Sequence, residues 1–268
     1  MKRLYFFFLL FSFAANAQRT NIIYIMSDDH DADAISAYNK KFIKTPHIDR
    51  LAREGMIFTN AFVGNSICSP ARATLLTGQH SHKNAVKDNR TAFDTSKITL
   101  PKILNEAGYQ TAIVGKWHLH SYPSHFSHWK VLPGQGLYHN PRFVTMQHDT
   151  VVVKGYATDV ITDEALAWMN GRDVTKPFML LVHHKAPHRN WMPTASFLRQ
   201  TIRKFYPEPP TLFADMNNHG KAWQGQKMTI LYDMLLASDL KIDPQYLSDI
   251  PDLKPSQNDV AVYNSSFA

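Results

Sequence analysis

The chain has 268 residues, of which 44% are hydrophobic and 19% are charged. This composition excludes an intrinsically disordered or collagen-like protein and is typical of a globular chain with a sizeable core. The formal net charge is +7, but no basic block marks a nucleic-acid-binding protein, so the excess favours small anionic substrates or polyanions.

The N-terminus has the pattern of a secretory signal peptide. Two basic residues precede an apolar stretch over residues 4–13, and small residues at 15–17 form a cleavage site. A buried strand or a membrane anchor are alternatives, but the stretch is shorter than the roughly 20 residues of a membrane span. We therefore predict a signal peptide over 1–17 and an exported, periplasmic or secreted protein without a membrane anchor.

Cys68 is the only cysteine, so the chain forms no internal disulfide. The stability of an exported protein of this kind must come from its core. Taken alone, a single cysteine is most often an inert buried thiol.

Apolar periodicity predicts alternating strands and helices. The predicted strands are residues 21–26, 56–63, 111–114 and 178–182, and the predicted helices are residues 46–54, 100–107 and 158–170. Residues 120–155 lack a clear period and predict a structured insertion or binding loop. The pattern favours an α/β protein with a mostly parallel sheet flanked by helices.

Polar residues follow three of the predicted strands. The three clusters are Ser27-Asp28-Asp29-His30, Gly115-Lys116-Trp117-His118 and His183-His184-Lys185-Ala186-Pro187-His188. Singly, each is compatible with a helix cap, a turn or a solvated loop. Because ligands bind at the carboxyl ends of parallel strands, the three together predict one site.

The residues in these clusters suit an anion held beside a cation. Asp28 and Asp29 offer oxygen ligands to a hard divalent cation, with calcium the first choice and magnesium the alternative. Pro70 can start a helix and place Cys68 near its positive N-terminal end, and Arg72 lies one turn further on. These groups predict a pocket for a tetrahedral oxyanion.

The motifs also resemble a known family. Cys68-Ser69-Pro70-Ala71-Arg72 followed by Thr77-Gly78 resembles the signature of type I, formylglycine-dependent sulfatases of the alkaline phosphatase superfamily. Asp28-Asp29, the Gly115 cluster and Ala186-Pro187-His188 are similar to that family's other motifs, in its order and spacing. The resemblance covers roughly residues 21–193 and implies an alkaline-phosphatase-like fold with its active site at the carboxyl ends of the strands.

The resemblance implies a sulfuric ester hydrolase whose Cys68 is converted to formylglycine by a maturation enzyme. The hydrated aldehyde would supply the nucleophilic oxygen, and calcium would be bound by Asp28, Asp29 and residue 68. The resemblance also implies a catalytic role for each of four other residues. The leaving oxygen is protonated by His188, the second hydroxyl of the hydrate is deprotonated by His118, the sulfate and the nucleophile are bridged by Lys116, and the hydrate is oriented by Arg72.

Loop segments add a resemblance at the level of the substrate. Residues 183–191, 132–138 and 36–38 are similar to bacterial N-acetylglucosamine-6-O-sulfatases, the mucin-desulfating enzymes. This implies a sulfated carbohydrate as partner, with the 6-O-sulfate of N-acetylglucosamine as the first candidate and heparan-type glucosamine sulfates as alternatives. The candidate substrate-binding residues are His30, His184, Arg189 and Trp191.

The chain departs from the family pattern in two places. His120 stands where the family motif has glycine, so its side chain either narrows the pocket or points outward. Family members are also longer, and a later Asp-Asn metal-binding pair and a second lysine are not found here. We therefore predict that residues 18–268 are the N-terminal portion of a sulfatase catalytic domain. The alternatives are a non-catalytic remnant that binds sulfated glycan and a phosphonate or phosphodiester hydrolase of the same superfamily.

Overall fold

The computed structural model describes residues 19–201, 205–226, 228–235 and 238–239. The predicted signal peptide and the stretch after residue 239 lie outside the described residues. Within these ranges, no helix combines the length and the apolar character that crossing a membrane requires.

The described chain mixes strands and helices: four helices follow the first strand, four consecutive strands come next, and one helix precedes the sixth strand. Its strands are β1 (Ile22–Asp28), β2 (Gln110–Lys116), β3 (His128–Leu132), β4 (Arg142–Thr145), β5 (Thr150–Val152) and β6 (Phe178–Pro187). Its helices are α1 (Pro46–Glu54), α2 (Cys68–Thr77), α3 (Ser81–Asn84), α4 (Leu100–Glu106), α5 (Ala157–Gly171), α6 (Ala195–Thr201), α7 (Lys221–Gln224) and α8 (Ile230–Asp233). Short 3₁₀ turns lie at Ala32–Ala34 and Met216–Asn218.

The strands form one sheet in the order β1-β6-β2-β3-β4-β5. β1, β6, β2 and β3 run parallel, whereas β3 to β5 form an antiparallel meander. The predicted mostly parallel α/β fold is therefore confirmed. The meander supplies the structure of residues 120–155, where three short strands leave too little sequence for a period to show.

The central strands β2 and β6 are buried on both faces of the sheet, because successive residues point to opposite sides and apolar clusters cover each side. In β2, Ile113 packs on one face with Trp117, Trp129 and Leu76 of α2. Ala112 and Val114 pack on the other face, where α5 contributes a second apolar cluster, Val160, Ile161 and Ala165. This two-sided burial explains why residues 112–114 of β2 and 178–182 of β6 are continuous apolar runs.

The predicted strand over residues 56–63 is wrong. That stretch is an irregular, exposed loop, and no strand of the described chain pairs with it. Alternation alone does not hold a strand, because its backbone groups need a neighbouring strand to accept and donate hydrogen bonds.

Apolar side chains are exposed along β1 and α1. β1 pairs only with β6 among the described strands, and its Ile23 and Ile25 are 49% and 62% exposed. Leu51 of α1 is 60% exposed. This side of the described fold is therefore an edge with an apolar surface.

Gly115 allows β2 to approach β6 at the point where the site begins. Its φ is +105°, and a Cβ atom there would lie 2.0 Å from the carbonyl oxygen of His183. Any side chain would push the two strands apart, and Lys116 follows directly.

Gly115→Ala should lower the free energy of unfolding by at least about 2 kcal/mol, because it adds both a backbone clash and an unfavourable φ. Gly171→Ala is the matched control, since a Cβ atom at that position meets open space. Urea unfolding of the two variants, followed by circular dichroism, measures the difference. Equal midpoints would show that the β2–β6 approach is not tight.

Candidate active site

A buried carboxylate between two buried cations lies at the centre of the site. Asp28 ends β1, and its Oδ1 accepts a hydrogen bond from Nη2 of Arg72 at 3.1 Å. Its Oδ2 accepts a hydrogen bond from Nζ of Lys116, the last residue of β2. Lys116 is 0% exposed, and Arg72 and Asp28 are also buried. Three segments distant in sequence are thus joined by charge.

The two cations fix the ionisation of Asp28. Burial opposes ionisation, but Lys116 and Arg72 outweigh it and hold the pKa of the carboxyl below its usual range. Burial lowers the pKa of Lys116, and the attraction of Asp28 opposes that effect. Burial of the Asp28 carboxylate or the Lys116 ammonium without an oppositely charged partner would cost a large desolvation free energy.

Cys68 is the first residue of α2 and faces Lys116. The Sγ atom lies 3.8 Å from Nζ of Lys116. Ser69, the next residue, ties the start of α2 to the loop after β2, because its Oγ donates to the backbone oxygen of His118 at 2.5 Å. The backbone N–H of Ser69 donates to Oδ1 of Asn89 at 2.9 Å. Residue 68 is therefore held at the positive end of a helix and beside an ammonium group.

His118 is positioned as a neutral imidazole. Burial, followed by the nearby charges of Lys116 and Arg72, lowers its pKa to about 4. Its backbone adopts a φ of +54°, which turns the chain just after β2. At neutral pH, His118 can accept a proton.

His188 completes the group around residue 68. Its Nδ1 donates to the backbone oxygen of Arg189 at 2.7 Å, which leaves Nε2 to act on a ligand. Burial lowers the pKa of His188, and the hydrogen bond to Arg189 opposes this. Ligand atoms of Asp28, Cys68 and His188 all lie within 4.8 Å of one another.

This donor group can be compared with the preferences of metal ions. Calcium takes six to eight oxygen ligands, so the Asp28 carboxylate suits calcium, while the thiol of unmodified Cys68 suits a softer metal. Conversion of Cys68 to an oxygen-bearing residue would add a second oxygen donor suited to calcium, while His188 offers a nitrogen that suits calcium less well. Asp29 offers further oxygens beside it, but it is exposed, with a φ of +57°.

The structure brings together five of the residues singled out in the sequence, and it places the others elsewhere. The five are Asp28, Cys68, Arg72, Lys116 and His188, with His118 adjoining them. Asp29 is outside the three-residue metal-binding group. His30 uses its two ring nitrogens locally, on Ser27 Oγ at 2.9 Å and on the Ala34 carbonyl oxygen at 3.4 Å.

The remaining candidates for substrate binding, His184, Arg189 and Trp191, have surroundings of their own. His184 lies near Asp159 of α5, which partly offsets the lowering of its pKa by burial. Arg189 is paired with Asp239 and lines a cavity with His188. Trp191 is exposed and lines a different, apolar cavity with Tyr138 and Phe197.

Two further residues at the site were named in the sequence only as members of longer segments, with no role of their own. His183 is buried, and its Nδ1 accepts a hydrogen bond from Nη1 of Arg72 at 3.0 Å. Gln135 accepts a hydrogen bond from Nζ of Lys116. The polar cluster in β6 contains His183, and the segment 132–138 that resembles the N-acetylglucosamine-6-O-sulfatases contains Gln135. The sequence does not predict β3, the strand that precedes Gln135.

His120 has a left-handed backbone conformation, which favours glycine. Its φ is +52°, and its Nε2 hydrogen-bonds to the backbone oxygen of Asn89. The side chain is exposed, and its ring centroid is 5.7 Å from that of His118. His120 therefore borders the pocket beside His118 without entering the ion network.

Comparisons with known proteins agree with this geometry. Residues 20–243 match the family profile for sulfatases. The chain belongs to the sulfatase family. It is 45% identical over 228 residues to the N-acetylglucosamine-6-O-sulfatase of Bacteroides thetaiotaomicron, which covers 84% of this chain and 41% of that protein.

Solved structures confirm the fold of this sulfatase-family chain. BT4656, in complex with its substrate D-glucosamine-2-N,6-O-disulfate, superposes with a TM-score of 0.86 and 41% identity over 94% of this chain and 53% of that one. The phosphonate monoester hydrolase of Agrobacterium radiobacter shares the fold at a TM-score of 0.50 and 23% identity, over 64% of this chain and 42% of that one. The chain thus spans about half the length of these relatives.

His118 should titrate far below an ordinary histidine. We expect an imidazole resonance with a midpoint near pH 4 in a histidine NMR titration, because burial and two cations oppose protonation. Folding stability linked to His118 is then fully present above pH 6.5 and is lost as the pH falls toward 4. His118→Gln assigns the resonance by removing it. A midpoint near 6.5 would contradict this placement of His118.

Proposed function

We propose that this chain carries the nucleophile side of a sulfuric ester hydrolase acting on a sulfated glycan, with the 6-O-sulfate of N-acetylglucosamine as the preferred target. The observation that carries the proposal is Cys68 at the start of α2, 3.8 Å from Lys116 Nζ. The name of the Bacteroides thetaiotaomicron relative supports N-acetylglucosamine 6-O-sulfate as the target, and the sugar disulfate bound by BT4656 supports a 6-O-sulfate on glucosamine.

The nucleophile in this proposal is formylglycine at position 68, installed by a maturation enzyme. Once hydrated, residue 68 offers a hydroxyl to attack sulfur, and Lys116 donates to both the nucleophile and a sulfate oxygen. His188, in its doubly protonated form, gives its Nε2 proton to the sugar oxygen as the sulfur–oxygen bond to the sugar breaks, and the attacking hydroxyl releases its proton to solvent. His118, neutral at pH 7, takes the proton of the second hydroxyl, so that sulfate leaves and the aldehyde returns.

Calcium is the proposed cofactor, held by Asp28, Asp29 and the modified residue 68. When bound, it would neutralise charge on the sulfate oxygens. Arg72 keeps Asp28 ionised and oriented toward the site, with Nη2 at 3.1 Å from Oδ1. We also propose export as the route by which the chain meets a sulfated glycan, on the strength of the signal pattern at residues 1–17.

Cys68→Ala should abolish desulfation of N-acetylglucosamine 6-sulfate, by at least about 10³-fold, because the covalent nucleophile is lost. The assay uses the 268-residue chain coproduced with a formylglycine-installing enzyme, and it measures released sulfate. Mass spectrometry of the peptide that contains residue 68 should show loss of sulfur in the wild-type chain.

Two outcomes would overturn the proposal. Turnover retained by Cys68→Ala would exclude the formylglycine nucleophile. Faster cleavage of phosphodiesters than of sulfate esters by the wild-type chain would place the activity with the phosphonate and phosphodiester hydrolases. Sugar binding by Cys68→Ala, measured by calorimetry, is the control for folding.

Asp29→Asn should weaken calcium binding by about tenfold or more, because a carboxylate ligand loses its charge. Asp163→Asn is the matched control, since Asp163 is exposed on α5. Isothermal titration with calcium measures both affinities. Equal affinity in the two variants would remove Asp29 from the calcium site.

A further inference from the structure

Residues 132–138 form a tight turn after β3 that carries Gln135. The backbone N–H of Gly136 donates to the Pro133 carbonyl oxygen at 3.1 Å, which closes the turn. Gly136 has a φ of +71°, and a Cβ atom there would lie 2.6 Å from Cδ1 of Leu132. Gln135 lies at the tip of this hydrogen-bonded turn and is half-buried.

The Gln135 side chain reaches the ammonium group of Lys116. Nζ of Lys116 donates to Oε1 of Gln135 and to Oδ2 of Asp28, and Sγ of Cys68 lies 3.8 Å away. An ammonium group has three N–H donors and no acceptor. The carboxylate and the amide oxygen take two of them, and the third is left for residue 68 or a ligand beside it.

The contact with Lys116 also fixes which end of the amide faces outward. Because the ammonium only donates, Oε1 must be the atom that faces it, and Nε2 is left to donate elsewhere. Gln135 lines a cavity of about 520 Å³ together with Lys185, His188 and Arg189. This cavity includes the proposed leaving-group acid, His188. Two carboxylates, Asp233 and Asp239, also line it, and Asp239 pairs with Arg189.

We propose that Gln135 is a positioning residue of the sulfate site: its Oε1 anchors the Lys116 ammonium, and its Nε2 donates to an oxygen of the sulfated sugar. The inference rests on the proposed function for its ligand. The contact between Gln135 and Lys116 is independent of that function, because it joins two side chains of the chain itself.

Two substitutions distinguish the role of Oε1 of Gln135 from the role of its Nε2. Gln135→Leu removes the acceptor for Lys116 and the donor for the ligand. Gln135→Glu keeps an acceptor for Lys116, but it replaces the donor with a negative charge that repels sulfate. Gln147→Leu and Gln147→Glu are the matched controls, because Gln147 lies exposed between β4 and β5.

The first readout is the side-chain nitrogen resonance of Lys116 in a lysine-selective ¹H–¹⁵N correlation spectrum of the whole chain. A buried, anchored ammonium exchanges its protons slowly and gives a distinct signal, which Lys116→Met assigns by its loss. We expect Gln135→Leu to lose or shift this signal and Gln135→Glu to retain it. An unchanged signal in Gln135→Leu would overturn the anchoring role.

The second readout is calorimetric binding of N-acetylglucosamine 6-sulfate. We expect Gln135→Leu and Gln135→Glu each to bind at least tenfold more weakly than the wild-type chain, with the Gln147 variants unchanged. Wild-type affinity in both Gln135 variants would overturn the ligand contact. No binding by the wild-type chain would refute the proposed function instead, and the Lys116 signal would still decide whether Gln135 anchors the lysine.

Discussion

The contact of Asp28 with Arg72 and Lys116 is the constraint on which the rest of the site depends. Each of the three charges is withdrawn from water, and removal of one partner of a buried charge pair typically costs 3–5 kcal/mol. Arg72 and Lys116 together outnumber the single carboxylate, so the network retains one positive charge in excess. In a region of low dielectric, that excess favours an anionic ligand far more than a surface lysine would.

The same constraint explains how distant parts of the chain meet. Asp28 comes from the end of β1, Arg72 from the second turn of α2 and Lys116 from the end of β2. His183, from β6, accepts a hydrogen bond from Arg72. The absence of a side chain at Gly115 allows β2, which ends at Lys116, to lie close to His183 of β6. The sheet thus positions Asp28 and Lys116, and α2 places Arg72 and residue 68 beside them.

Much of this arrangement is readable in the sequence because it is local. The apolar runs of β1, β2 and β6 end in polar clusters, and Pro70 near the start of α2 marks a helix N-terminus beside Cys68. Long-range pairing is what the sequence does not show. The alternating residues 56–63 form an exposed loop, and the β3–β5 meander has strands too short to display a period.

Side-chain direction is also invisible in a residue pattern. His183 and His184 are adjacent in sequence, yet the first contacts Arg72 while the second lies toward Asp159 of α5. Alternation along β6 separates them once the face that bears the site is known. His30 is drawn instead into bonds with its own turn.

The exposed edge formed by β1 acquires a further meaning from the charge it carries. Asp28 is both the last residue of that strand and the counter-charge of two buried cations. If β1 frayed away from β6, Arg72 and Lys116 would remain buried without the carboxylate that balances their charge. The ion pairs of Asp28 therefore stabilise β1, a strand that backbone pairing supports on one side only in the described sheet. Local unfolding of this edge strand and the charge balance of the pocket consequently depend on each other.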